Sequence, residues 1–272
     1  VDVFAALTTG DNNTAVGYDA LTANTTGADN TALGYISLLS STTGSRNTGL
    51  GRGTLASNTT ASNNTAVGYN AMSQNTTGAS NTAIGANALD ANTTGSNNTA
   101  IGLSSLGVNV NGGANVAIGN YALDANTSAN DNTAVGYNTM SQNTTGDSNV
   151  AVGKSALAKN TTADYNTAVG YNSGLSITTG TSNTLVGGLT GDALTVGNSN
   201  VALGMLALSS DTQGDRAVAI GLNALGTQNF TSSTDNYNVG VGYQAGYAVT
   251  TGVNNTLIGG LTGDAITTGS QN

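Results

Sequence analysis

The chain has 272 residues, with 5 Lys or Arg against 14 acidic residues, no His and no Cys, and a net charge of -9. That composition excludes disulfides and thiolate- or imidazole-bound metals. It leaves no clustered cationic surface for nucleic acid, and no apolar run approaches the ~20 residues of a membrane span. Charged residues are 7% of the chain, against roughly 25% in ordinary globular proteins. Asn, Thr, Ser and Gly carry the polarity instead. Neutral side chains stack into hydrogen-bonded ladders where like charges would repel.

Residues 1–12 read as a degenerate, shortened copy of the repeat unit, holding Ala6-Leu7 and Thr8-Thr9-Gly10. From Asn13 the register locks. Gly17, Gly34, Gly51, Gly68, Gly85 and Gly102 open a series of glycines 17 residues apart that runs to Gly221. One step of 21 then reaches Gly242, and one of 17 reaches Gly259. The unit reads Asn-Thr-Ala-Val-Gly-Tyr-Asn-Ala-Leu, three residues usually ending in Asn, Thr-Thr-Gly, and two polar residues, with positions numbered from that first Asn. Residues 13–272 are thus expected to be one repeat array, broken by a four-residue insertion within 227–236 whose loop, around Phe230, is expected to protrude.

Thr14-Ala15-Val16-Gly17-Tyr18 is a short β-type run, and Gly27 with its polar neighbours is turn chemistry. A weaker run covers Ala20-Leu21, and no copy offers the helical periodicity of a helix. At ~3.3 Å per residue, one unit traces at most roughly 56 Å, enough for two short strands and two turns. No unit buries its apolar side alone, but stacked units share a continuous core. The fold class is therefore all-β: a parallel β-solenoid or β-roll of about 15 coils, one per 17-residue repeat.

Both faces of the main strand are apolar. Position 2 is Thr or Val and position 4 is Val, Ile or Leu, while position 3 is Ala or Gly except at Leu185 and Leu257, and position 5 is Gly. Strands apolar on both faces are normally covered on both. The reading is that one face lines the coil and the small Ala/Gly face meets a second copy side by side.

Asn115-Val116-Ala117-Ile118-Gly119 and Ala217-Val218-Ala219-Ile220-Gly221 resemble the Asn-Ser-Val-Ala-Ile-Gly head motif of trimeric autotransporter adhesins, the YadA-like head repeats. Similar repeats occur in phage tail-fibre proteins. The resemblance covers about residues 13–271 through one low-complexity motif. It implies a left-handed parallel β-roll, packing as a homotrimer, and adhesion to a host surface. The 17-residue unit is longer than is typical of that family.

The column Asn13, Asn30, Asn47, Asn64, Asn81 and Asn98 is read as an amide ladder between coils, broken at Ala217, with the glycine column beside it. Asn24, Asn58, Asn75, Asn92, Asn143 and Asn160 stand in Asn-x-Thr/Ser sequons, read as repeated turns or as glycosylation acceptors. Tyr18, Tyr35, Tyr69, Tyr137, Tyr171 and Tyr243 share position 6, which also admits Arg52, Lys154 and Asn120. It is therefore expected to be exposed, as rim packing or as a glycan- or partner-binding row. The aspartates sit near turns without the spacing of a calcium loop. Gly240-x-Gly242-x-x-Ala245 lies within the repeat with no helix after it, so it is no dinucleotide fingerprint. No nucleophile–base set exists, no metal or cofactor is implied, and the chain reads as a non-enzyme.

The functional expectation is an extracellular fibre at a cell or virion surface, self-associating as a trimer or as a head-to-tail polymer, with surface glycans or a host receptor as candidate partners. Asn272 meeting Val1 of a second copy would roughly restart a strand. A receptor-binding segment of a phage tail fibre or autotransporter head is the alternative. Ice or mineral binding by threonine ladders ranks low on the expectation that the position-2 threonines are buried or interfacial.

Overall fold

A computed structural model describes residues 3–272. These fall into two compact units, Val1–Asn132 and Thr133–Asn272. Unit 1 holds β1 (Thr14–Val16), β2 (Thr31–Leu33), β3 (Thr48–Leu50), β4 (Thr65–Val67), β5 (Thr82–Ile84), β6 (Thr99–Ile101) and β7 (Val116–Ile118). Unit 2 holds β8 (Thr133–Val135), β9 (Val150–Val152), β10 (Thr167–Val169), β11 (Thr184–Val186), β12 (Val201–Leu203), β13 (Gly214–Asp215), β14 (Val218–Ile220), β15 (Thr234–Asp235), β16 (Val239–Val241) and β17 (Thr256–Ile258). Each unit is a parallel β-solenoid with a 17-residue coil. Within unit 1, β1 to β7 pair in sequence order, in parallel, with position 2 on position 2. In unit 2 the same holds through β8, β9, β10, β11, β12, β14, β16 and β17. The expected joint between Asn272 and Val1 lies outside the described residues.

Most coils form one strand, not two; the short β13 and β15 are second strands in the coils of β12 and β14. Positions 7 and 9 of most coils take left-handed backbone angles, as at Asn70 (φ 53) and Met72 (φ 52). A non-glycine residue there costs roughly 1–2 kcal/mol, and no extended run survives it. The weaker run at Ala20-Leu21 is thus a series of turns, still bonded coil to coil through Leu21 N–H to the Ser37 carbonyl (3.1 Å). The turns drive the position-9 side chain into the lumen, where Leu21, Leu38, Leu55, Met72, Leu89, Leu106 and Leu123 are all fully buried. A β-branched residue is strained in that conformation; none occupies position 9, and Ile36 (φ 51) is a β-branched exception at position 7.

The leucine column decides which strand face is inside. Where position 9 delivers a large side chain from the turn, the strand contributes only a methyl or, at Gly49, a hydrogen. Ala32, Ala66, Ala83, Ala100 and Ala117 are fully buried, while their neighbours at positions 2 and 4 face out. This reverses the expectation that the Ala/Gly face meets a second copy: the small face lines the lumen and the β-branched face is the outer wall.

Unit 2 shows the same volume filled differently. Where position 9 is Gly174, Gly191, Gly246 or Gly263, position 12 becomes Ile177, Leu194, Val249 or Ile266, and the strand carries Leu185 or Leu257. A Cβ on Gly174 would lie 2.9 Å from Leu185 and 3.0 Å from Leu157. The leucine has moved from the turn to the strand. The position-5 glycines are required twice over: their φ lies between 126 and 144, and a Cβ on Gly68 would meet the Gly85 carbonyl.

The insertion does not simply protrude. Phe230 is buried; its N–H donates to Asp211 Oδ1 (3.1 Å) and its carbonyl accepts from Gln213 N–H (3.0 Å). Thr231, Ser232 and Ser233 form an exposed tip, held beside the short β13–β15 pair.

Gly174→Leu is expected to destabilise the chain by about 1–3 kcal/mol through overpacking, and Leu185→Ala by about 2–5 kcal/mol through a cavity. The double variant is expected to lose less than the sum, because each change makes room for the other. Urea denaturation of the four proteins measures this coupling.

Candidate functional site

Two amide columns run through the lumen. In the first, the position-1 Asn Oδ1 accepts the backbone N–H of the Asn one coil on: Asn30 Oδ1 from Asn47, Asn47 from Asn64, Asn64 from Asn81 and Asn81 from Asn98, at 2.9–3.0 Å. Asn13 Oδ1 accepts from Asn30 N–H in the same way. Each Nδ2 then donates to the carbonyl 14 residues on, as Asn64 does to Gly78 (2.9 Å). Ala217 lacks the side chain, and Asn236 from the insertion replaces it, its Oδ1 accepting Asn238 N–H at 2.9 Å.

The second column is position 12, and it corrects the glycosylation reading. Asn24, Asn58, Asn75, Asn92, Asn143 and Asn160 are fully buried. Asn75 Nδ2 donates one hydrogen to Asn58 Oδ1 (2.9 Å) and the other to the Gly78 carbonyl (2.9 Å). Asn92 and Asn160 do the same one coil on from Asn75 and Asn143. Asn24, Asn58 and Asn143 donate to the carbonyls of Gly27, Ala61 and Gly146. A glycan on these nitrogens has no room in the folded chain. The replacement of this position by Ile177, Leu194, Val249 and Ile266 was the sequence signal that it points inward. Where the column is interrupted it leaves an orphan: Asn24 Oδ1 precedes Ser41, Asn160 Oδ1 precedes Ile177, and both are buried without a partner.

The outer surface carries three rows. Position 6 is exposed, and in unit 1 it brings Tyr18, Tyr35 and Tyr69 into one file with Arg52. Tyr18 and Tyr35 stack with ring centroids 5.3 Å apart. The Arg52 guanidinium lies 5.4 Å from the Tyr35 ring and 5.3 Å from the Tyr69 ring, and its Nη1 donates to the Tyr69 hydroxyl (3.1 Å). In unit 2, Lys154 lies 5.8 Å from the Tyr171 ring. Tyr137 and Tyr243 are also half exposed, and Tyr243 has Leu222 and Gly260 in the adjoining coils. The roles of Arg52 and Lys154 in these files were not evident from the tyrosine spacing alone.

Positions 2 and 4 supply the other two rows. Val16 is 57% exposed and Leu203 46%. Neither position carries a charge in any coil.

The ionisable groups serve structure. Asp211 occupies position 12, fully buried, where Gln228 Nε2 (2.7 Å) and the N–H groups of Gly214 (3.0 Å) and Phe230 (3.1 Å) donate to its carboxylate. Burial raises its pKa, and these hydrogen bonds oppose the rise in part. Burial likewise raises Asp90, Asp124 and Asp192, against lowering by backbone N–H groups. Arg216 pairs with Asp235 and lies over Tyr237. Among the described residues no acidic cluster is spaced to hold a metal ion, and no helix is long and apolar enough to cross a membrane. The architecture is that of a β-solenoid scaffold. No protein-family model matches the chain, nor does any curated protein or solved structure.

Ser41→Asn is expected to reconnect the second column and raise stability by about 1 kcal/mol, the net value of one buried hydrogen bond, measurable by urea denaturation. The raised aspartates set the pH dependence. A folded pKa above the unfolded one means the native state holds protons that the unfolded state releases. Stability should therefore be greatest in acid, below the unfolded value near 3.8, and fall as pH rises through the folded values. Melting temperatures between pH 3 and pH 8 test the direction, and Asp192→Asn should flatten the slope.

Proposed function

We propose that this chain is the subunit of an extracellular fibre, assembled by lateral self-association of β-solenoids through the outer face of the parallel sheet, with adhesion at a cell or virion surface as its purpose. The observation that carries the proposal is a contiguous apolar patch in unit 2. There β12, β14 and β16 bring Val201, Leu203 and Met205 beside Val218, Ile220 and Leu222, and beside Val239, Val241 and Tyr243. Met205 is 54% exposed and Leu222 40%. Exposed contiguous apolar surface of this kind marks an interaction site.

A second copy is the occupant that fits. It carries the same 17-residue pitch, so its rows match these rows coil for coil, and no charge on positions 2 and 4 opposes the approach. Heterologous contacts that do not close extend into filaments, whereas closed ones give a trimer. The homotrimer, the left-handed coil and a single array over residues 13–272 follow the resemblance to autotransporter heads and belong to this proposal. The unbroken 17-residue step from Gly119 to Gly136 supports the single array.

The alternative is a receptor-binding segment of a phage tail fibre or an autotransporter head. The file Tyr18–Tyr35–Arg52–Tyr69 favours it, because exposed stacked rings and a guanidinium suit sugar faces and anionic groups. Host glycans or a protein receptor are the partners under that reading.

Sedimentation velocity of the purified chain distinguishes the outcomes. Assemblies are expected, and Leu203→Lys or Ile220→Lys should reduce them to monomers without changing the circular dichroism spectrum. A monomeric parent chain contradicts the proposal.

A further inference from the structure

Unit 1 carries an outer face of a different chemistry. In β1 to β6, position 2 is Thr in six consecutive coils: Thr14, Thr31, Thr48, Thr65, Thr82 and Thr99. Parallel pairing sets each threonine directly on the next. Their backbone N–H groups are fixed by the Asn carbonyls one coil on, as Thr65 N–H is by Asn81 (2.9 Å). Their hydroxyls have no hydrogen-bond partner within the protein among the described residues. Beside them, two residues along each strand, lie Val16, Leu33, Leu50, Val67, Ile84 and Ile101.

Strands in a sheet are ~4.8 Å apart, and residues i and i+2 are separated by ~6.6 Å along a strand. The face is therefore a two-dimensional grid of hydroxyls and methyls at fixed intervals. It is also rigid: the grid stands on the two buried amide columns, and β-branched side chains are stiff at χ1. All twelve positions are uncharged.

A second copy is a poor occupant here. Burying an unpaired hydroxyl against an apolar wall costs roughly 1–3 kcal/mol, and this face would bury six. The Val-bearing face of unit 2 has no such penalty at Val201, Val218 and Val239. A flexible solute meets only part of a grid, whereas a crystalline lattice meets all of it. The two spacings are comparable with the oxygen repeats on a prism face of hexagonal ice. Hydroxyls can enter such a hydrogen-bonded lattice as donors and acceptors, and methyls can occupy its hollows.

We propose that the β1–β6 face of unit 1 binds ice. This does not rest on self-association, which uses the unit 2 patch. The test is adsorption of the fluorescently labelled full chain to a growing ice surface, together with inhibition of ice recrystallisation. The parent chain is expected to adsorb and inhibit. Thr48→Lys and Thr65→Lys, which put long charged stems in the middle of the grid, should abolish both while leaving the circular dichroism spectrum unchanged. Leu203→Lys should keep both even as it disperses assemblies. Thr65→Ser, which folds with the hydroxyl but without the methyl, should weaken adsorption. Exclusion of the parent chain from ice, or lysine variants that adsorb as well as the parent, would overturn the proposal.

Discussion

The fold depends on one bond repeated in nearly every coil: a position-1 asparagine oxygen accepting the backbone N–H of the asparagine one coil on. It spans 17 residues and fixes the register in which the strands pair. The same amide ties its own coil shut through the carbonyl 14 residues on. A buried polar group is costly unless satisfied, so an asparagine in the lumen requires a neighbour of the same pitch on either side. The constraint reproduces itself. Where one coil lacks the amide, at Ala217, the chain recruits Asn236 from the insertion to supply the missing acceptor.

The lumen sets the second constraint. The lumen takes its large aliphatic groups from the turn, as at Leu157, or from the strand, as at Leu185, where glycines of the adjoining turns face it. Both solutions keep the packed volume, consistent with the tolerance of cores for volume-conserving exchange. Because the turn usually provides that group, the strand shows its alanine to the interior and its β-branched residues to the outside. The outer wall therefore varies with the choice of Thr or Val at position 2, without consequence for the core. That freedom lets one repeat present a hydroxyl grid over Thr14 to Thr99 and an apolar patch over Val201 to Val239.

Period, parallel stacking and the glycine column were legible in the sequence because they depend on spacing alone. The orientation of the strand was not. Ala and Val alternate identically whichever side is inside, and only the left-handed turn at Leu21 and its counterparts determines which face the lumen can hold. The sequons left turn and glycosylation acceptor open for a related reason. Asn-Thr-Thr is surface chemistry in an ordinary loop, but Asn75 hydrogen-bonds Asn58 inside the coil while Thr77 stays exposed. Phe230 likewise lay in an insertion, and the unusual Asp211 with Gln228 in the lumen is what draws it in.

Both outer faces rest on the inside-out orientation of the strand, and the absence of native cysteine makes that orientation directly measurable. Single variants Ala66→Cys and Val67→Cys, labelled in dilute native solution with a thiol reagent, differ only in which side of β4 they occupy. Rapid labelling is predicted at residue 67, and at residue 66 labelling only after denaturation. Protection at 67 with rapid labelling at 66 would contradict the inside-out strand.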